Sequence, residues 1–186
     1  MNIFALDKDP VICAEMHNDK HVVKMILESC QLLSTAHRLL DGVETPSKSK
    51  TGRNVKRWVL NDDRETELYS ATHNNHPSAV WCRLNDSNYN WLWSLLDALC
   101  SEYTFRYGKV HKCQQTGLVA KLKTKPNNIP KGELTDVTPA MPDDVKVKGN
   151  SVASYRNYYI SNKQHLASWS GKINSRPVPE WFNAQL

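Results

Sequence analysis

The sequence predicts a mainly α-helical fold, built as a single compact helical domain over residues 1–186 with about five helices and long loops. Three observations lead to that class. Long segments, 10–40 and 85–107, repeat their apolar residues at the spacing of a helix face. Helix-start and helix-stop residues bracket those segments. No strand-like alternation is sustained anywhere in the chain. With 186 residues and a hydrophobic fraction of 40%, there is enough apolar material for one core.

The elements follow in order. "NIFAL" at 2–6 reads as a short extended segment. Asp9-Pro10 is a helix start, an N-cap followed by proline in the first turn. Helical periodicity runs from there to about Leu40, with a break near Asn18, and Asp41-Gly42 stops it. Residues 43–60 read as a polar, basic loop, and 61–72 as a short helix with an acidic first turn. Pro77 opens another helix. "NDSN" at 85–88 breaks it and caps a long one, whose stripe is Leu92, Leu95, Leu96, Leu99 and Tyr103 and whose stop is Gly108. Four prolines mark 126–150 as a long loop. Ser151 caps a last helix, and the tail is irregular but anchored by aromatic residues.

Composition narrows the function classes. No apolar run approaches the ~18–20 residues of a membrane span, so no membrane partner is expected. The start of the chain lacks a basic and apolar leader, which leads to an expected cytoplasmic location. The five cysteines (Cys13, Cys30, Cys82, Cys100, Cys113) are widely spaced, form no CxxC, and read as reduced core residues. Walker A, GxGxxG, GxSxG and zinc-deaminase patterns are absent, which argues against an NTPase, a dinucleotide enzyme or a lipase-like hydrolase. No cofactor is expected.

The net charge is +5, from 24 basic and 19 acidic residues. Residues 103–132 hold seven Lys or Arg and no acid (Arg106, Lys109, Lys112, Lys121, Lys123, Lys125, Lys131). A second patch comprises Lys48, Lys50, Arg53, Lys56 and Arg57. Such clusters suit a polyanion, and equally a solvated surface.

The stretch "HNDKHVVKMILE" at 17–28 concentrates chemistry. On a continuous helix, His17, His21, Lys24, Glu28 and Gln31 fall on one line. The rest of the circumference is apolar: Val22, Val23, Ile26, Leu27, Cys30 and Leu33. A helix apolar around most of its girth is expected to be largely buried, so its polar line must find partners or face a cleft. The alternative is an exposed polar edge with a Lys24–Glu28 pair. The His17/His21 spacing also fits two metal ligands, but the HExxH pattern is absent. Candidate catalytic residues are therefore His17, Asp19, His21, Lys24 and Glu28. The carboxylates would serve as acid or base, a lysine as a Schiff-base amine, and the histidines as proton shuttles.

Three further segments mix aromatic, basic and histidine residues, and nucleic-acid contacts are expected from them. His76 sits at a helix start, with Trp81 and Arg83 following. Arg106, Lys109 and Lys112 follow aromatic residues at a helix end. Tyr155, Arg156 and Tyr158 repeat the mixture. Lys20 adds a cation beside the catalytic line. Each also has a plain reading as core or cap.

The order of these motifs ("AEMHNDKH", "HPSAVWCR", "EYTFRYGK", "YRNYYISNK") resembles the pyrimidine-dimer DNA glycosylases of the phage endonuclease V type. The resemblance covers about half the chain through short motifs. It implies a small helical enzyme that uses its N-terminal amine as nucleophile on the sugar, with a helix glutamate as partner. Asn2 is too large for ready removal of Met1, so the implied amine is that of Met1. The family's arginine–glutamate pair is absent: Lys24 stands where the carboxylate is expected, and Glu28 one turn later. The expected function is an enzyme acting on DNA or nucleotides, a base glycosylase/lyase that breaks a glycosidic bond. The alternatives are a non-enzymatic nucleic-acid-binding accessory protein and a metal-dependent hydrolase using His17 and His21.

Overall fold

A computed structural model describes residues 1–49 and 51–183; Lys50 of the second basic patch lies outside them. The fold is mainly α-helical. Four helices have seven residues or more: α1 (Pro10–Met16), α2 (Asp19–Asp41), α5 (Asp86–Tyr107) and α8 (Ser151–Asn162). Five shorter ones complete the described set: α3 (Arg64–Glu67), α4 (Pro77–Cys82), α6 (Lys112–Gln115), α7 (Leu118–Lys121) and α9 (Glu180–Asn183).

Local chemistry fixes most boundaries. The Asp9 carboxylate accepts from the Val11 and Ile12 amides, and Pro10 occupies the first turn of α1. The Asn18 side chain accepts from the His21 amide and starts α2. Asn85 does the same for α5 through the Asn88 amide, and Gly108 ends that helix at φ 64°, a left-handed position where glycine carries no Cβ penalty. The last long helix is capped by Asn150, one residue before the expected Ser151.

Residues 43–60 depart from expectation. They form an antiparallel hairpin, β1 (Val43–Lys48) with β2 (Asn54–Val59), in the register Val43↔Val59 to Lys48↔Asn54. Neither strand has a buried residue, so neither face needed the apolar alternation that would have revealed it. The hairpin turns at Gly52, φ 80°. The helix expected over 61–72 shortens to the single turn α3. Residues 126–150 are irregular apart from one 3-10 turn at Asp143–Val145. They are pinned to α5, with Asp86 accepting from the Gly132 amide and Asn88 from the Thr135 amide.

The core joins α1, α2, α4 and α5 to an N-terminal segment, Ile3–Leu6, that is buried along its length. α2 packs against α5 and α4, and α1 against α5. α8 closes over the N-terminal segment: Phe4 stacks on Tyr158 and meets Tyr155 and Tyr159 edge-on. Trp169 and Phe182 anchor the tail in the same core. All five cysteines are buried with free thiols.

Two buried arginines hold the ends of α2. Arg38 donates to the carbonyls of Trp58, Glu65, Leu68 and Tyr69 and pairs with the Glu65 carboxylate. Arg106 is wholly enclosed. Its guanidinium donates to Glu102 Oε1 (2.6 Å), Asp19 Oδ1 (2.9 Å) and the carbonyls of Glu15 (2.9 Å) and His17 (2.9 Å). That one side chain ties the end of α1, the start of α2 and the end of α5 together. Its own carbonyl accepts the Lys172 and Ile173 amides, which adds the tail.

Breaking a buried pair strands its partners, at a cost of about 3–5 kcal/mol. Arg106→Met is therefore expected to lower the unfolding free energy by about that amount in urea titration. Lys109→Met, on the exposed side of the same turn, should change it by less than about 0.5 kcal/mol.

Candidate active site

The polar line of the second helix divides into two parts. His17 precedes α2: it caps α1 and lies fully inside the protein. Its Nδ1 donates to the Cys13 carbonyl at 2.7 Å, so Nε2 is a lone pair, buried and without a partner. His21 is nearly enclosed, stacks on Phe4 and shares a 2.5 Å hydrogen bond with the Tyr159 hydroxyl. Burial lowers the His17 pKa to about 4, and burial with the positive neighbours Lys163 and Lys24 lowers that of His21 to about 3. The two rings are 6.4 Å apart, centroid to centroid. No group of three His, Cys, Asp or Glu side chains among the described residues is placed to hold a metal ion.

Asp19 is also drawn into structure. It accepts from Arg106, Ser168, Ser170 and the Gly171 amide. Partial burial works against its charge, but the Ser168 and Arg106 hydrogen bonds outweigh that and hold its carboxyl below the usual value.

One turn and more along the helix, the chemistry changes. Glu28 Oε2 accepts the Asn2 amide at 2.9 Å and lies 3.8 Å from the Met1 α-amine. Its Oε1 lies 3.3 Å from Lys24 Nζ. The Glu28 side chain is 11% exposed and that of Lys24 66%, so the cluster is walled on the core side and open at the lysine. His76 caps α4 through the Ser78 amide and lies within the electrostatic reach of the Met1 amine, His73 and Glu28. Burial first, and the Met1 amine next, lower its pKa. A carboxylate set between two amines, beside an imidazole that tends to neutrality, has the parts for proton transfer and for amine attack on an electrophilic carbon.

The cluster depends on the N-terminal segment. Asn2 is fastened on three sides. Its backbone N–H reaches Glu28, its side-chain amide donates to the Ala140 carbonyl (2.9 Å), and its Oδ1 accepts from the Tyr155 hydroxyl (2.9 Å). Met1 is thereby delivered to α2.

The remaining expected contact residues scatter. Trp81 and Tyr155 are buried, with Trp81 donating to Thr135, and Arg106 is the structural hub described above. All three are consumed by internal partners, which local sequence cannot show. Arg83 is partly buried with one guanidinium nitrogen lacking a partner. Arg156 donates to the Leu6 carbonyl and Asp7 and lies over the Trp181 ring. Tyr158 carries Lys163 over its ring. Lys20, Lys109 and Lys112 are exposed. Val23 and Leu27, expected on a buried face, are 37% and 39% exposed, so α2 keeps an outer edge. The site also gains Met1 and Asn2, which lay outside the sequence-derived site list; of the two, the Met1 amine carried a prior signal, through the resemblance to an amine-dependent family.

No family model, no curated protein and no solved structure matches this chain.

Three histidines give a pH signature. His37, which shares hydrogen bonds with Tyr89 and Arg64, is also lowered to about 4 by burial and by Arg64. The unfolded chain takes up protons on these imidazoles below about 6.5, whereas the folded chain resists until about 4 for His17 and His37 and about 3 for His21. Stability is therefore full above about pH 6.5 and falls as the pH drops toward 4. The urea midpoint should decline across that window, before Asp19 and Asp41, both held below their usual range, begin to titrate. His17→Asn should flatten the decline; an unchanged slope would remove His17 from the account.

Proposed function

We propose that this protein is a DNA-acting enzyme of the base glycosylase/lyase kind, breaking the glycosidic bond of a nucleotide unit. The observation that carries the reading is the Met1 α-amine held 3.8 Å from a mostly enclosed Glu28 carboxylate. The net basic charge and the exposed cations favour a polyanionic substrate.

In this reading Glu28 takes a proton from the Met1 ammonium and frees the amine lone pair. The amine attacks C1′ of the sugar. The bond from C1′ to the base nitrogen breaks, its electron pair leaves with the base, and the base takes a proton from solvent. Loss of the second amine proton opens the sugar ring and leaves an imine between Met1 and C1′, with O4′ protonated as a hydroxyl. Removal of a C2′ proton then expels the 3′ phosphate. Lys24, 3.3 Å from the other Glu28 oxygen, is the second amine within reach of the same base.

The test is borohydride reduction in the presence of an oligonucleotide bearing a damaged or abasic site, using protein whose chain begins at Met1. A trapped adduct is expected, and peptide mass analysis assigns it to Met1 or Lys24. Glu28→Gln should lower base release by about 10²–10⁴-fold with folding retained. Full turnover in that variant would remove Glu28 from the mechanism. DNA binding with neither base release nor adduct would favour an accessory binding protein.

A further inference from the structure

The β1–β2 hairpin is an unexplained expense for a protein of this size. It contributes no buried residue, and an isolated two-stranded ribbon is marginally stable in water. It is held at its base, where Arg38 donates to the Trp58 carbonyl at 3.0 Å. The chain over 43–59 carries five cations and one acid, Glu44, which is taken up by Lys56 at 2.8 Å. Arg53 and Arg57 are exposed and pair with no carboxylate among the described residues. Such a charge pattern repels itself unless a polyanion occupies it.

What the hairpin faces is more telling. A cleft runs between β2 and the 71–76 turn, lined by Lys56, Arg57 and Trp58 on one side and by His73, Asn74 and His76 on the other. His76, at the end of this wall, caps α4, and α4 packs against α2, the helix that carries Glu28. Asn74 Oδ1 is buried in this turn with no protein partner. His73 holds φ 51°, the one left-handed non-glycine residue among those described, and its Nδ1 is bonded to the Thr72 hydroxyl at 2.8 Å. The cleft thus offers cations for phosphate, the partly exposed Trp58 for stacking and an amide for a base edge.

We infer that the hairpin and the 71–76 turn form the walls of a channel for a DNA strand, with the hairpin gripping phosphates of the strand whose sugar is presented to Glu28. This rests on the DNA-acting reading above and names where the substrate lies. Six-residue strands span about 20 Å, enough to follow several consecutive phosphates.

Fluorescence anisotropy of a duplex with an uncleavable abasic analogue, read from about 50 to 200 mM salt, tests it without turnover. Wild-type protein should bind with a steep salt slope, and Arg53→Gln/Arg57→Gln should lower that slope by about 2, near one per lost phosphate contact. The charge-matched Lys148→Gln/Lys172→Gln control, at exposed positions outside the cleft lining, should keep the wild-type slope. If both double variants lose slope equally, or neither does, the hairpin is not the grip, while the DNA-acting reading stands. If wild-type protein shows no salt-dependent binding, the DNA-acting reading itself fails. Thermal midpoints of both variants should match the wild type, since all four positions are exposed.

Discussion

The arrangement of this protein depends on an extended segment at the start of the chain being treated as core. Ile3, Phe4, Ala5 and Leu6 are buried without belonging to any helix or sheet. A buried backbone outside any helix or sheet must find hydrogen bonds elsewhere, and side chains supply several of them here. Leu6 takes Cys13 Sγ on its amide and Arg156 on its carbonyl, and Asn2 is bonded to α2, α8 and the Ala140 carbonyl. Phe4 fills the gap between His21 and the tyrosines of α8. Remove that segment and α2 loses its cover, α8 loses its seat, and Glu28 keeps only Lys24.

The two ends of α2 are held by different means, and this separates structure from chemistry. At its start, Asn18, Asp19 and the neighbouring His17 are consumed by capping, by Arg106 and by the core. At its far end Arg38 does the same work. Only the middle of the helix, at Lys24 and Glu28, presents polar groups that meet an amine and open to solvent. The rigid frame on either side holds the Glu28 carboxylate in place. A proton acceptor benefits from such positioning, because geometry sets the efficiency of transfer as much as pKa does.

Much of this was legible in the sequence wherever the determinant is local. Asp9-Pro10, Asn18, His76-Pro77, Asn85 and Gly108 each announce a boundary through their own side chain or lack of one, and each boundary is where expected. The hairpin was not legible, because its strands scatter their few apolar residues (Val43, Val55, Trp58, Val59) among polar and charged ones and bury no face. Arg106 read as a surface cation at a helix end. Its burial comes from acceptors at positions 15, 17, 19 and 102, a convergence no local pattern reports. The line from His17 to Gln31 assumed one continuous helix, and the cap at Asn18 takes His17 off it. Glu28 was found because it lies on that line; its partner across the gap is the backbone amine of the first residue, which no side-chain pattern reports.

The hydrogen bond from Tyr155 to Asn2 joins residues separated by 153 positions. Contacts of that span close late, since the loop entropy they carry is offset only once intervening elements have formed. α8 seats Asn2 through Tyr155, and with it the amine beside Glu28. The pairing of the Met1 amine with Glu28 therefore belongs to the closed fold alone: it is held by a contact that spans nearly the whole chain.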